Sequence, residues 1–247
     1  MQRRNRRLAA GLAALAAIVA GAAVYALGGD DGPKPALGLM TTVPIYWRES
    51  PSIGDMLDAN APKSWVRVQL ERSYALVPLD TLDRAGGLDR LDRLLLAQPR
   101  ALSPAENVAL DGWVRSGGRL LLFADPMLTA ETSYAIGDRR RPQDVVLLSP
   151  ILTRWGLSLS YDEDQPRGER MVAGALPVDL AGRLATLPTA PDAPARCSLE
   201  SGRVVADCRI GQGRVVVVAD AALLDPARDP ATGEEPLERL AERAFGR

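Results

Sequence analysis

The chain has 247 residues, 47% of them hydrophobic and 4% aromatic, with a formal net charge of −1. It contains no histidine, which excludes Ser-His-Asp and Cys-His catalysis, imidazole acid–base chemistry and most zinc sites. Setting Arg3, Arg4, Arg6 and Arg7 aside from that −1 leaves −5 for the rest, an acidic body without the basic stripe nucleic acid needs.

The arginines precede an uncharged apolar stretch, Leu8 to Leu27. As a helix rising about 1.5 Å per residue, it just crosses a bilayer core of roughly 30 Å. Basic residues before it and Asp30-Asp31 after it place the N-terminus in the cytoplasm and the body outside. The rival is a cleaved secretory signal ending near Ala20-Gly21-Ala22; the length of the stretch favours an uncleaved anchor. Both readings export the body. The expected organisation is an anchor over 1–28, a breaker-rich linker over 29–36 and an α/β domain over 37–247.

Ala36 to Thr42 reads as a first strand, emptying into a loop with Tyr46 and Trp47. Pro62 to Arg72 has helical spacing, with Trp65, Val66, Gln69 and Leu70 on one face. Tyr74 to Asp80 is a second strand, at a sheet edge because Pro78 cannot donate to a ladder. Arg93 to Pro99 and Arg119 to Pro126 are unbroken apolar runs of the kind found in parallel sheets covered on both faces. Between them Ser103-Pro104-Ala105-Glu106 carries a capping box with proline at the first helical position. The helix it opens sets Ala105, Ala109, Leu110, Trp113 and Val114 on one face and stops at Gly117-Gly118.

An irregular tract from Met127 to Asp144 follows, containing Arg139-Arg140-Arg141, which reads as a solvated loop. Ser149-Pro150 opens a short helix and Leu157 to Tyr161 alternates as a half-exposed strand. Met171 to Leu176 reads as one further short strand. Cys197 and Cys208 bracket a hairpin pattern, and in an oxidising compartment they pair as a structural disulfide. Arg214 to Asp220 repeats the strand pattern, and Pro236 to Phe245 is an amphipathic helix.

The runs Leu94 to Pro99, Leu102 to Glu106 and Leu110 to Pro126 resemble the glutamine-amidotransferase-like domain of auxiliary subunits of uncharacterised ABC-type transport systems, the gliding-motility type included. Ser149 to Leu157 and Gly211 to Asp220 fit the same pattern. The resemblance implies a mostly parallel, three-layer flavodoxin-like fold behind an N-terminal transmembrane helix. It also implies a non-catalytic role beside permease and ATPase subunits, without a cofactor. Amidotransferases of this class carry a cysteine nucleophile at a strand-to-helix elbow and a downstream histidine; here no cysteine follows a core strand. No G-x-x-x-x-G-K-[ST] stretch occurs, so the chain is not the ATPase, and with one apolar span it is not expected to be the pore.

Asp80, Gln98, Asp125 and Asp220 each end a predicted strand, with Thr41, Thr42 and Tyr46 beside them. Parallel strands gather such residues at the edge where open α/β sheets bind ligands. A carboxylate cluster there could hold a divalent cation or a small ligand, which keeps an exported metal-dependent hydrolase or small-ligand-binding domain as the alternative. The simpler reading, which the Asp-Pro junction favours, is that each aspartate caps the turn after it.

Overall fold

The computed structural model describes residues 32–49, 62–83, 87–172, 175–190, 194–200 and 202–246. The expected Leu8–Leu27 span lies outside the described residues. Among the described residues no helix is long and apolar enough to cross a membrane. Residues Pro35–Arg247 cluster as one compact unit.

Strands β1 (Ala36–Thr41), β2 (Ala75–Pro78), β3 (Arg93–Ala97), β4 (Arg119–Phe123), β9 (Ala195–Leu199), β10 (Val205–Ile210) and β11 (Gly213–Val218) form one sheet of seven among the described residues. Its order is β2-β1-β3-β4-β11-β10-β9. The first five strands run parallel, β10 runs antiparallel to β11, and β9, antiparallel to β10, returns to the direction of the five. The parallel part has the 2-1-3-4-5 order of flavodoxin-type doubly wound sheets. Two small two-stranded antiparallel sheets lie outside it among the described residues: β5 (Leu157–Ser160) pairs with β8 (Arg183–Thr186), and β6 (Arg170–Val172) with β7 (Leu176–Val178).

Helix α1 (Trp65–Ser73) links β1 to β2, and α2 (Pro104–Arg115) links β3 to β4. β2 lies to one side of β1 and β4 to the opposite side of β3, so right-handed crossovers place α1 and α2 on opposite faces. α4 (Pro230–Phe245) packs beside α1, and α3 (Ser149–Arg154) beside α2. Covered on both faces, Leu94, Leu95 and Leu96, Leu120 to Phe123 and Val215 to Val218 are almost wholly buried. Each such aliphatic side chain contributes roughly 1.5–3 kcal/mol, which is why continuous apolar runs occupy the middle of the sheet. Pro78 sits in the edge strand as expected. Gly213 opens β11 where α2 presses hardest: a Cβ there would meet the Val114 carbonyl at 2.0 Å.

Three local expectations need correction. On α2, Leu110, Trp113 and Val114 are buried, but Ala105 is exposed, and the acidic Glu106 and Asp111 are buried instead. Glu106 accepts hydrogen bonds from Ser103 N, from Leu82 N and from both Arg100 Nη atoms. Asp111 accepts from Arg115, Arg154 and Trp155. Burial of a carboxylate follows from this many donors, which an apolar-periodicity rule does not count. The single strand expected over Met171 to Leu176 is two short antiparallel strands. Helix α4 begins at Pro230, because Asp229 caps it through Ala231 N and Pro230 occupies the first turn; Pro236, read as its start, lies inside it.

Cys197 and Cys208 face each other across β9 and β10 and are joined in a disulfide.

Candidate functional site at the carboxyl edge of the sheet

Where β1 leads left and β3 leads right, an open α/β sheet leaves a crevice at its carboxyl edge. Thr42 and Gln98 meet there: the Thr42 hydroxyl donates to Gln98 O at 2.5 Å and accepts from Gln143 N at 3.0 Å. The Gln98 side chain is fully buried. Its Nε2 donates to Asp125 O (3.0 Å) and Gln143 O (2.8 Å), and its Oε1 accepts from Asp125 N (2.8 Å). Gln143, in the 127–148 loop, thereby ties the ends of β1 and β3 together at this edge. Gln98 follows β3 at φ 46, a left-handed conformation that a non-glycine residue holds only when its surroundings fix it.

Asp125 and Asp220 end the neighbouring strands β4 and β11 and are 0% and 1% exposed. Asp125 Oδ1 accepts from Met127 N and Oδ2 from Ala221 N. Asp220 Oδ1 accepts from Ala222 N and Oδ2 from Asp179 N. Each aspartate thus caps the turn after its own strand and also ties in a second segment. Burial pushes the Asp125 carboxyl up to about 6, against the backbone N–H bonds that favour its anion. Burial, followed by the charge of Asp125, raises Asp220 well above the ordinary carboxylate range.

The carboxylates expected to cluster are therefore divided. Asp125 and Asp220 lie together inside, while Asp80 is exposed at the end of β2. The reason is strand order: β1 and β3 stand between β2 and β4. Among the described residues no group of three or more His, Cys, Asp or Glu side chains could hold a metal ion.

Thr41, Thr42 and Asp80 instead line an open pocket of about 380 Å³, beside Trp47, Arg48 and Glu49 from the β1 loop. Tyr134 and Arg139 to Arg141 complete it from the 127–148 loop. Tyr46 is not among its lining residues; it supports Trp47 edge-to-face at 5.0 Å, with the Arg67 guanidinium 4.0 Å from its own ring. Two of the three arginines read as a solvated run are engaged: Arg140 forks onto Asp138 over the Tyr134 ring, and Arg141 bonds Asp144 and Tyr134 O. Glu49 accepts from Ser133 N and Oγ. Its pKa is lowered: burial opposes this, but hydrogen bonds from Thr132 and Ser133 and the Arg141 charge outweigh it. Gln143 and Glu49 carried no sequence signal, since each lies in an aperiodic loop and acts on residues distant along the chain.

The fold and this edge define a mostly parallel α/β domain whose Gln98 side chain is engaged within the protein at the switch point. The chain belongs to the family described as ABC-type uncharacterized transport system, whose model matches residues 34–165. No curated protein matches it. Among solved structures it is similar to the exo-β-1,4-mannosidase Op5Man5 from Opitutaceae bacterium strain TAV5, at 13% identity and TM-score 0.45, over 87% of this chain and 35% of that one. It is also similar to Gan42B, a GH42 β-galactosidase from G. stearothermophilus, at 10% identity and TM-score 0.44, over 86% and 30%. A cytoplasmic protein from Salmonella typhimurium LT2 aligns at 11% identity and TM-score 0.37, over 85% and 96%. The chain spans about a third of the length of the two glycosidases. Likeness at this level bears on neither activity nor substrate.

Proposed function

We propose that the chain is a non-catalytic, membrane-anchored, extracytoplasmic auxiliary subunit of an ABC-type transport system, holding its α/β domain against permease and ATPase partners. The observation that carries the non-catalytic part is Gln98. It occupies a left-handed position at the turn from β3 toward α2, the kind of strained strand-to-helix elbow on which amidotransferase-like and hydrolase folds mount a nucleophile. An amide is no nucleophile, and this one is buried with its donor and acceptor both occupied. The family supports the transport setting. The Arg3–Arg7 cluster before Leu8–Leu27 supports anchoring with the body outside, where a Cys197–Cys208 disulfide persists.

The alternative of a metal-dependent hydrolase draws no support from Asp125 and Asp220, whose four carboxylate oxygens already accept backbone N–H groups. Purification of the tagged chain from detergent-solubilised membranes, followed by mass spectrometry, tests the proposal. The expected result is enrichment of the permease and ATPase of one transporter. Capture of neither, together with ammonia release from glutamine that Gln98→Ala abolishes, would replace it with an enzymatic reading.

A further inference from the structure

We infer that the pocket beside β1 and β2 is a binding site for a small organic oxyanion, a carboxylate or phosphate compound with one flat flank. The inference goes beyond the subunit role and does not rest on it.

Charge comes first. Four guanidiniums and two carboxylates line the pocket. Arg140 and Arg141 are paired with Asp138 and Asp144, while Glu49 keeps its charge, because the Ser133 N–H and hydroxyl that donate to it are neutral. Arg48 and Arg139 have no hydrogen-bond or ion-pair partner among the described residues, and both are exposed. They come from different loops and flank one cavity, so two guanidiniums without a partner among the described residues stand beside two carboxylates, Asp80 and the Ser133-bound Glu49. Guanidinium forks match carboxylate and phosphate oxygens in geometry as well as charge.

The second observation is the wall. Of the four tryptophans, Trp47 alone is exposed, at 58%. It is nevertheless supported from beneath: Tyr46 meets it edge-to-face, and Arg67 lies over Tyr46 while donating to its carbonyl at 2.9 Å. A supported aromatic left open to solvent offers a flat apolar surface to a ligand at low entropic cost. The third is size and rigidity. The cavity, about 380 Å³, lies within the roughly 300–1,000 Å³ of small-molecule pockets, and the Thr42–Gln98–Gln143 bonds brace its floor.

The test is calorimetric titration of the detergent-solubilised full-length chain, at low ionic strength, with inorganic phosphate, citrate and glucuronate, and with glucose as the neutral control. Saturable binding of at least one anion and none of glucose is expected. Arg48→Gln and Arg139→Gln should each weaken it about tenfold, equivalent to about 1.4 kcal/mol, with unchanged circular dichroism. Tryptophan fluorescence should respond to the bound anion, and Trp47→Phe should remove that response. Preference for phosphate over both carboxylates assigns the phosphate class, and the reverse order the carboxylate class. Absence of binding by every anion, equal binding by the doubly substituted chain, or glucose binding as tightly as glucuronate would each overturn the assignment.

Discussion

Gln98 and Asp125 exchange two hydrogen bonds, the Gln98 side-chain amide donating to Asp125 O and accepting from Asp125 N. A side-chain amide here does what a backbone peptide does in a ladder, extending the β3–β4 pairing past the end of both strands. This arrangement explains how Gln98 holds a left-handed backbone: three buried bonds outweigh a strain of about 1–3 kcal/mol.

Replacing Gln98 with alanine leaves Asp125 N and Gln143 O without their Gln98 partner, while Asp125 O keeps its bond from Val146 N. At about 1 kcal/mol or more for each orphaned group, urea unfolding should show a loss of roughly 2 kcal/mol. A loss below about 1 kcal/mol would mean that water replaces the amide.

Asp125 and Asp220 make stability depend on pH in the direction opposite to that of a salt-bridged carboxylate. Asp125 titrates near 6 when folded and near 3.8 when unfolded, so the folded form favours the proton. That stabilisation is complete below the unfolded pKa and is lost as pH rises through about 6. Between about pH 5 and about pH 8 the loss should be of the order of 2 kcal/mol. Asp125→Asn should flatten the profile. A parent whose stability rises over this interval would contradict the buried pair.

Glu106 gives the ordinary carboxylate behaviour and serves as an internal contrast. The Arg100 guanidinium holds it far below the usual carboxylate range, burial opposing and the Ser103 and Leu82 N–H groups assisting. Its contribution is therefore present above the unfolded pKa of about 4.5 and disappears as pH falls through the folded one. Glu106→Gln should cost about 2 kcal/mol at neutral pH and little in strong acid, read as urea midpoints. Equal cost at both pH values would remove the charge from the account.

The Cys197–Cys208 disulfide spans 11 positions of sequence. For a loop this short the chain-entropy estimate is about 2–3 kcal/mol, so reductant should lower the free energy of unfolding by about that much. Protein isolated without reductant should titrate no thiol. Two titratable thiols would place the body in a reducing compartment and undo the export proposed for it.

What the sequence determined by itself was whatever depends on neighbours along the chain. The capping box of Ser103 and Glu106, the buried face of α1, the edge position of Pro78 and the facing cysteines all follow from short-range spacing, and all stand in the structure. Continuous apolar runs likewise announced a parallel sheet covered on both faces. Tertiary structure decided how strand ends were grouped. One strand-ending pattern put Asp80 in solvent and sealed Asp125 with Asp220, because strand order, invisible to local patterning, separates β2 from β4. The same holds for the crevice and the pocket. Gln143 reaches Thr42 across 101 positions and Ser133 reaches Glu49 across 84, in loops with no period to read. Hydrogen bonds of that span form only after the sheet has brought their ends together, since the cost of closing a loop is repaid by packing elsewhere in the fold.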